Sequence, residues 1–82
     1  MKKDEIIEKV TAIFRKVFEN DALVLTEDMT PDDVENWASM THMQMATALQ
    51  ETFGVKFTIK DQLKLMRVGD IVALLEEKTK QD

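Results

Sequence analysis

Ser39 and His42 stand three residues apart, a spacing that sets two side chains on neighbouring turns of a helix. A serine becomes a nucleophile beside a base, and that base in turn needs a group to orient it. No third member is evident in this chain, and no Gly-x-Ser-x-Gly elbow surrounds Ser39. A hydrolase using the pair is therefore set aside, and no residue is assigned as catalytic. A hydroxyl at the mouth of a helix retains two other roles. It can cap the helix, since serine is a favoured N-cap residue. It can also be an attachment point, because the open N–H groups and positive dipole end of a helix suit a phosphodiester. Cysteine is absent and His42 is the single histidine, so disulfides, thiolate metal sites and His-rich metal sites are excluded and no metal ligands are assigned.

The residues around Ser39 have ordinary structural readings as well. Trp37, the one tryptophan, precedes the helix and would anchor the loop to the core, its N–H bonded to backbone or water. His42 is expected to be half-buried and bonded to a loop carbonyl. Met40, Met43 and Met45 fall within six residues, with Met66 further on. Methionine fills irregular space, so these side chains either complete the core or line an interior that opens around an apolar chain.

Four helices are expected to position these residues. Residues 4–19 repeat Ile6, Val10, Ile13, Phe14 and Val17 at helical spacing, with acids at the start and Arg15 and Lys16 at the end. Residues 20–37 follow no period and form a long loop, pinned by Leu23, Val24, Leu25, Met29, Val34 and Trp37, with Thr30-Pro31-Asp32-Asp33 as a short helical turn. Residues 39–53 form the second helix. Its inner face is read as Met40, Met43, Ala46, Thr47, Leu49 and Phe53, with Met45 at the edge and Gln44, Ala48, Glu51 and Thr52 outside. Gly54 ends it. Val55 to Ile59 reads as an extended linker. Thr58 and Asp61 have capping-box spacing, and residues 62–66 are expected to form a short third helix. Residues 68–79 form the last, with Val68, Ile71, Val72, Leu74 and Leu75 inward. The expected fold is all-α, a small four-helix bundle of three long helices and one short, in a single domain over 1–82.

The chain has 82 residues and a net charge of −5. From Asn20 to Phe53 there is no Lys or Arg, and seven acids (Asp21, Glu27, Asp28, Asp32, Asp33, Glu35 and Glu51) stand there. Such a field repels nucleic acid and anionic membranes and attracts basic protein surfaces. Lys56, Lys60, Lys64 and Arg67 read as a solvated basic edge. No apolar run is long enough for a signal peptide or a membrane span, which leads to the expectation of a cytoplasmic monomer.

Taken together, these residues resemble the acyl carrier proteins. That family attaches 4′-phosphopantetheine to the serine of an Asp-Ser-Leu/Met motif at the start of its second helix; Ala38-Ser39-Met40 stands at that place here. The stretch Asp33 to Met43 resembles the Val-Glu-x-Trp-Asp-Ser-Leu-Thr-His form of some carriers. Ala48 to Phe57 resembles the family's Leu-Glu-x-x-Phe-Gly-Ile-x-Ile stretch, and Val68 to Leu75 its last helix. The resemblance implies that a phosphopantetheinyl transferase loads Ser39 from coenzyme A. It implies that the arm holds acyl groups as thioesters and presents them to acyl-activating or acyl-transferring enzymes with basic surfaces. Trp37, Ala38, Met40, Thr41, Gln44 and Glu51 are then the expected partner-recognition residues, and Met40, Met43, Met45, Phe53 and Met66 the acyl-chain cavity. Two departures stand out. Ala38 replaces the family's aspartate, which contributes to recognition by the transferase, so a carrier-like interaction module without an arm is the alternative. The second helix, acidic in the family, holds one acid here, Glu51.

Overall fold

Helix α1 (Lys3–Val17) buries Ile6, Val10 and Phe14 along one stripe, with Asp4 and Glu5 in its first turn and Arg15 and Lys16 in its last. The computed structural model describes residues 1–80. The helix stops two residues short of the expected end. Glu19 takes a left-handed φ of 55°, and the Asn20 N–H donates to the Arg15 carbonyl at 2.9 Å. This is a Schellman closure without glycine, which is why composition gave no warning of it. Phe18 follows the helix and is fully buried.

The connection from residue 18 to 38 is held by specific bonds. Arg15 Nε donates to the Leu23 carbonyl at 2.8 Å. Asn36 sits at φ 72° and donates through its side-chain amide to the Phe18 carbonyl at 3.0 Å, tying the far end of the loop to the end of α1. Asparagine tolerates the left-handed region better than most residues, so one side chain supplies both the turn and the clasp. Residues 31–33 form a turn and not the expected helical one, the Thr30 N–H donating to the Asp33 carboxylate at 3.0 Å, and Val24, expected to pin the loop, is 68% exposed.

Helix α2 (Ser39–Phe53) has the expected bounds and ends in Gly54 at φ 65°. Its rotation differs from the expected one. The buried residues are Met45, Ala46 and Leu49, while Met40 and Met43 are 73% and 70% exposed and Thr47 is exposed. The inner face thus runs through His42, Met45, Ala46, Leu49 and Phe53. Apolar residues occur nearly all round this segment, so periodicity could not choose the face; packing against α1 did.

Residues 55–58 form no strand and run as an extended linker. The side-chain amide of Gln50 holds it to α2, accepting from the Phe57 N–H at 2.9 Å. Helix α3 (Ile59–Gln62) begins where the Thr58/Asp61 capping box places it, the two reciprocal bonds measuring 3.1 and 2.9 Å. Residues 63–66, expected to be helical, are mostly turn. The box starts its helix one residue after the cap, not four. Lys78 closes an ion pair on Asp61 at 2.9 Å, joining α3 to the last helix.

Helix α4 (Val68–Lys78) buries Val68, Ile71, Val72, Leu74 and Leu75, the expected set. Its first turn has no side-chain cap. Instead the Met29 carbonyl accepts from the Val68 N–H and the Glu27 carbonyl from the Gly69 N–H, at 2.9 and 2.8 Å. The long loop therefore caps α4 with its backbone. Arg67 donates to the same Glu27 carbonyl and to Asp70, so it is not a free member of a basic edge. The fold is an all-α bundle in which α1 packs against both α2 and α4.

Candidate functional site

Ser39 is the first residue of α2, and it is exposed. The N-cap is Ala38, in extended conformation, so the expected capping role does not fall to the serine. Among the described residues no hydrogen bond engages the Ser39 hydroxyl. Thr41 bonds the backbone of the N-cap residue and not the first-turn N–H groups. Its hydroxyl accepts from the Ala38 N–H at 2.8 Å and is within donating reach of the Asn36 and Ala38 carbonyls. A methyl group at position 38 leaves the N–H groups at the start of α2 without a side-chain acceptor, and these are the donors that an anion on Ser39 would meet.

Trp37 lies buried behind the serine, at 6% exposure, edge-on to Phe14 at 5.2 Å between ring centroids and tilted against Phe18 at 5.6 Å. It is the loop anchor, and little of its ring is exposed. Its N–H goes neither to backbone nor to water. The indole Nε1–H donates to His42 Nδ1 at 2.8 Å, with the two rings 12° from parallel. His42 thus bonds a side chain where a loop carbonyl was expected. Partial burial lowers its pKa from the usual 6.5, and the bond itself requires Nδ1 to be unprotonated. With Ser39 exposed and His42 Nδ1 engaged by tryptophan, the pair does not form a nucleophile and base.

An open cavity of about 500 Å³ lies beside the serine, lined by Pro31, Trp37, Ala38, Ser39, His42, Met43 and Met66. A second of about 510 Å³ runs along the outer face of α2, lined by Met40, Met43, Gln44, Thr47, Ala48 and Glu51. The five residues expected to enclose an acyl chain are not brought together. Met43 and Met66 reach the serine cavity, Met40 stands on the outer groove, Met45 is fully buried in the core and Phe53 is half-buried against it. The rotation of α2 is the cause. Of the expected recognition residues, Ala38, Met40, Gln44 and Glu51 are exposed, while Thr41 is half-buried with its hydroxyl committed to the helix start. Asn36 and Gln50, which hold the loop and the linker in place, carried no sequence signal beyond their polarity.

The acidic stretch is partly spent within the molecule. Glu27 pairs with Lys3 at 2.9 Å, Asp28 accepts from the Thr26 hydroxyl at 2.7 Å, and Asp33 caps its own turn. Asp21, Asp32 and Glu35 remain exposed without such partners among the described residues. No helix among the described residues is long and apolar enough to cross a membrane.

The geometry is that of a small helical carrier domain, with an exposed hydroxyl at a helix start and a long ordered loop leading to it. No protein-family model and no curated protein matches the chain. Among solved structures it is similar to the solution NMR structure of the holo acyl carrier protein from Geobacter metallireducens, with a TM-score of 0.82 and 34% sequence identity over 89% of this chain and 84% of that one. The chain belongs to the acyl carrier protein family. It is a carrier, not an enzyme.

Proposed function

We propose that the chain holds acyl intermediates as thioesters on a 4′-phosphopantetheine arm esterified to Ser39, loaded from coenzyme A by a phosphopantetheinyl transferase. The observation that carries this reading is the Ser39 hydroxyl: exposed, unengaged and first in α2 of an acyl-carrier fold. The residues around it fit the group, since first-turn N–H groups without a side-chain acceptor would meet a phosphodiester there and a largely apolar cavity borders Ser39. An apolar cargo on the arm meets Met43 and Met66 first, and deeper shelter needs the flexible Met45 side chain to move.

The partners are acyl-activating and acyl-transferring enzymes. Their basic surfaces meet the exposed acids of the loop, and an apolar patch meets Met40 and Met43 on α2. A second helix carrying one acid favours a specialised pathway, such as polysaccharide decoration or secondary metabolism, over enzymes that read an acidic helix. The test is intact mass after incubation with coenzyme A and a broad-specificity transferase. The expected result is a gain of one phosphopantetheine, lost in Ser39→Ala and faster in Ala38→Asp.

Ala38 supports one other reading, an interaction module that keeps the fold without the arm. It expects the native chain to load poorly or not at all, and full biological activity in Ser39→Ala.

A further inference from the structure

The Trp37–His42 bond settles which ring nitrogen of His42 carries the proton. Nδ1 accepts from the indole, so in the neutral ring the proton sits on Nε2. Among the described residues Nε2 has no hydrogen-bond partner, and no side-chain nitrogen or oxygen is both buried and unsatisfied. The Nε2–H is therefore open to solvent. His42 and Ser39 line the same cavity, whose other walls are mainly Pro31, Trp37, Met43 and Met66. His42 brings the one ring N–H donor to this cavity that is not already bonded within the protein.

We propose that His42 is a positioning residue for the arm: its Nε2–H, fixed in that tautomer by Trp37, donates to a phosphodiester oxygen on Ser39 and holds the base of the arm over the cavity. The inference rests on the carrier reading of Ser39. It adds that the loop tryptophan orients the arm through the histidine, and so gives the buried indole N–H a function besides anchoring.

Two substitutions separate this role from a structural one. The Asn side-chain oxygen falls near the place of Nδ1, so His42→Asn keeps an acceptor for Trp37 and removes the outward donor. The Gln amide nitrogen falls near the place of Nε2, so His42→Gln keeps an outward donor and weakens the Trp37 bond. Loading is established first by intact mass, using Ala38→Asp as the background if the native chain loads slowly. Failure of both backgrounds to load overturns the carrier reading and this inference with it. On loaded protein, two-bond 1H–15N spectra of the imidazole and the 31P resonance of the arm are recorded, with urea-unfolded loaded protein as the reference for a free phosphodiester.

Loading is expected to move the Nε2 resonance and leave the tautomer unchanged. The folded native 31P shift should differ from the unfolded reference, His42→Asn should collapse that difference, and His42→Gln should retain most of it while melting at a lower temperature. A purely structural histidine gives the opposite pattern: a phosphorus resonance in His42→Asn identical to the native one, or an Nε2 resonance that loading does not move. Either result overturns the proposal.

Discussion

Position 38 carries the sharpest consequence of any single residue. Alanine at an N-cap forgoes a bond worth about 1 kcal/mol to a helix, and here Thr41 bonds the Ala38 N–H from the other side without replacing it. Ala38→Asp is expected to stabilise the fold by about 1 kcal/mol, a rise of about 4–8 °C in melting temperature for a domain of this size. A thermal melt followed by circular dichroism at pH 7 checks it; no rise would mean that the first-turn N–H groups gain nothing from a carboxylate at position 38. Which of these residues mattered was only half legible. Ser39 is marked by its neighbours in the chain. Asn36 is not, because its value lies in a left-handed φ and a carbonyl 18 residues away, and neither is a property of local sequence.

Among the elements, the start of α4 depends on the loop more than on its own residues. Space is tight at Gly69. A β-carbon at position 69 would come within 3.0 Å of the Glu27 carbonyl oxygen and 2.8 Å of Arg67 Nη1. Gly69→Ala therefore either pushes the loop away or breaks the Gly69 N–H bond to Glu27. Overpacking of this kind costs about 1–3 kcal/mol, against a gain in helix propensity of at most about 1 kcal/mol. The expected outcome is a lower urea midpoint with an unchanged slope; a raised midpoint would show that the loop yields freely. Helix existence and order were readable from periodicity, capping spacing and Gly54. The face of α2 was not, because methionine and alanine at five of its fifteen positions gave no single stripe. The short α3 was displaced for another reason: Ile59 within it and Leu63 just after it are exposed, so burial was a poor guide to where it lies.

For the molecule as a whole, the depressed pKa values all favour neutral over acid conditions. A histidine whose folded pKa lies below its unfolded value binds its proton more readily in the unfolded chain. The His42 contribution is thus complete above about pH 6.5 and declines as the pH falls below that value toward the folded pKa. Asp61 is held at about 2 by its bond to Lys78 and then by Thr58, below the usual 3.8. Its contribution is present above 3.8 and is lost as the pH falls toward 2. Stability measured by urea titration is expected to decline in two stages on acidification, the first beginning near pH 6.5 and the second below about pH 4. His42→Asn, which cannot titrate there, should remove the first stage and keep the second. A first stage that persists in this variant would assign it to another group.

By itself the chain determined what is local or additive: four helices in order, the inward residues of α1 and α4, the Gly54 boundary and the Thr58 capping box, the absence of cysteine, and a serine at the head of α2. These follow from repeats, backbone preferences and composition that need no distant partner. Only the tertiary structure decided which way α2 is turned and that Trp37 is sealed against Phe14 and Phe18. It also decided that Trp37 spends its N–H on His42, and that loop carbonyls cap α4. Each of these is a choice between similar local options, made by the packing of segments far apart in the chain.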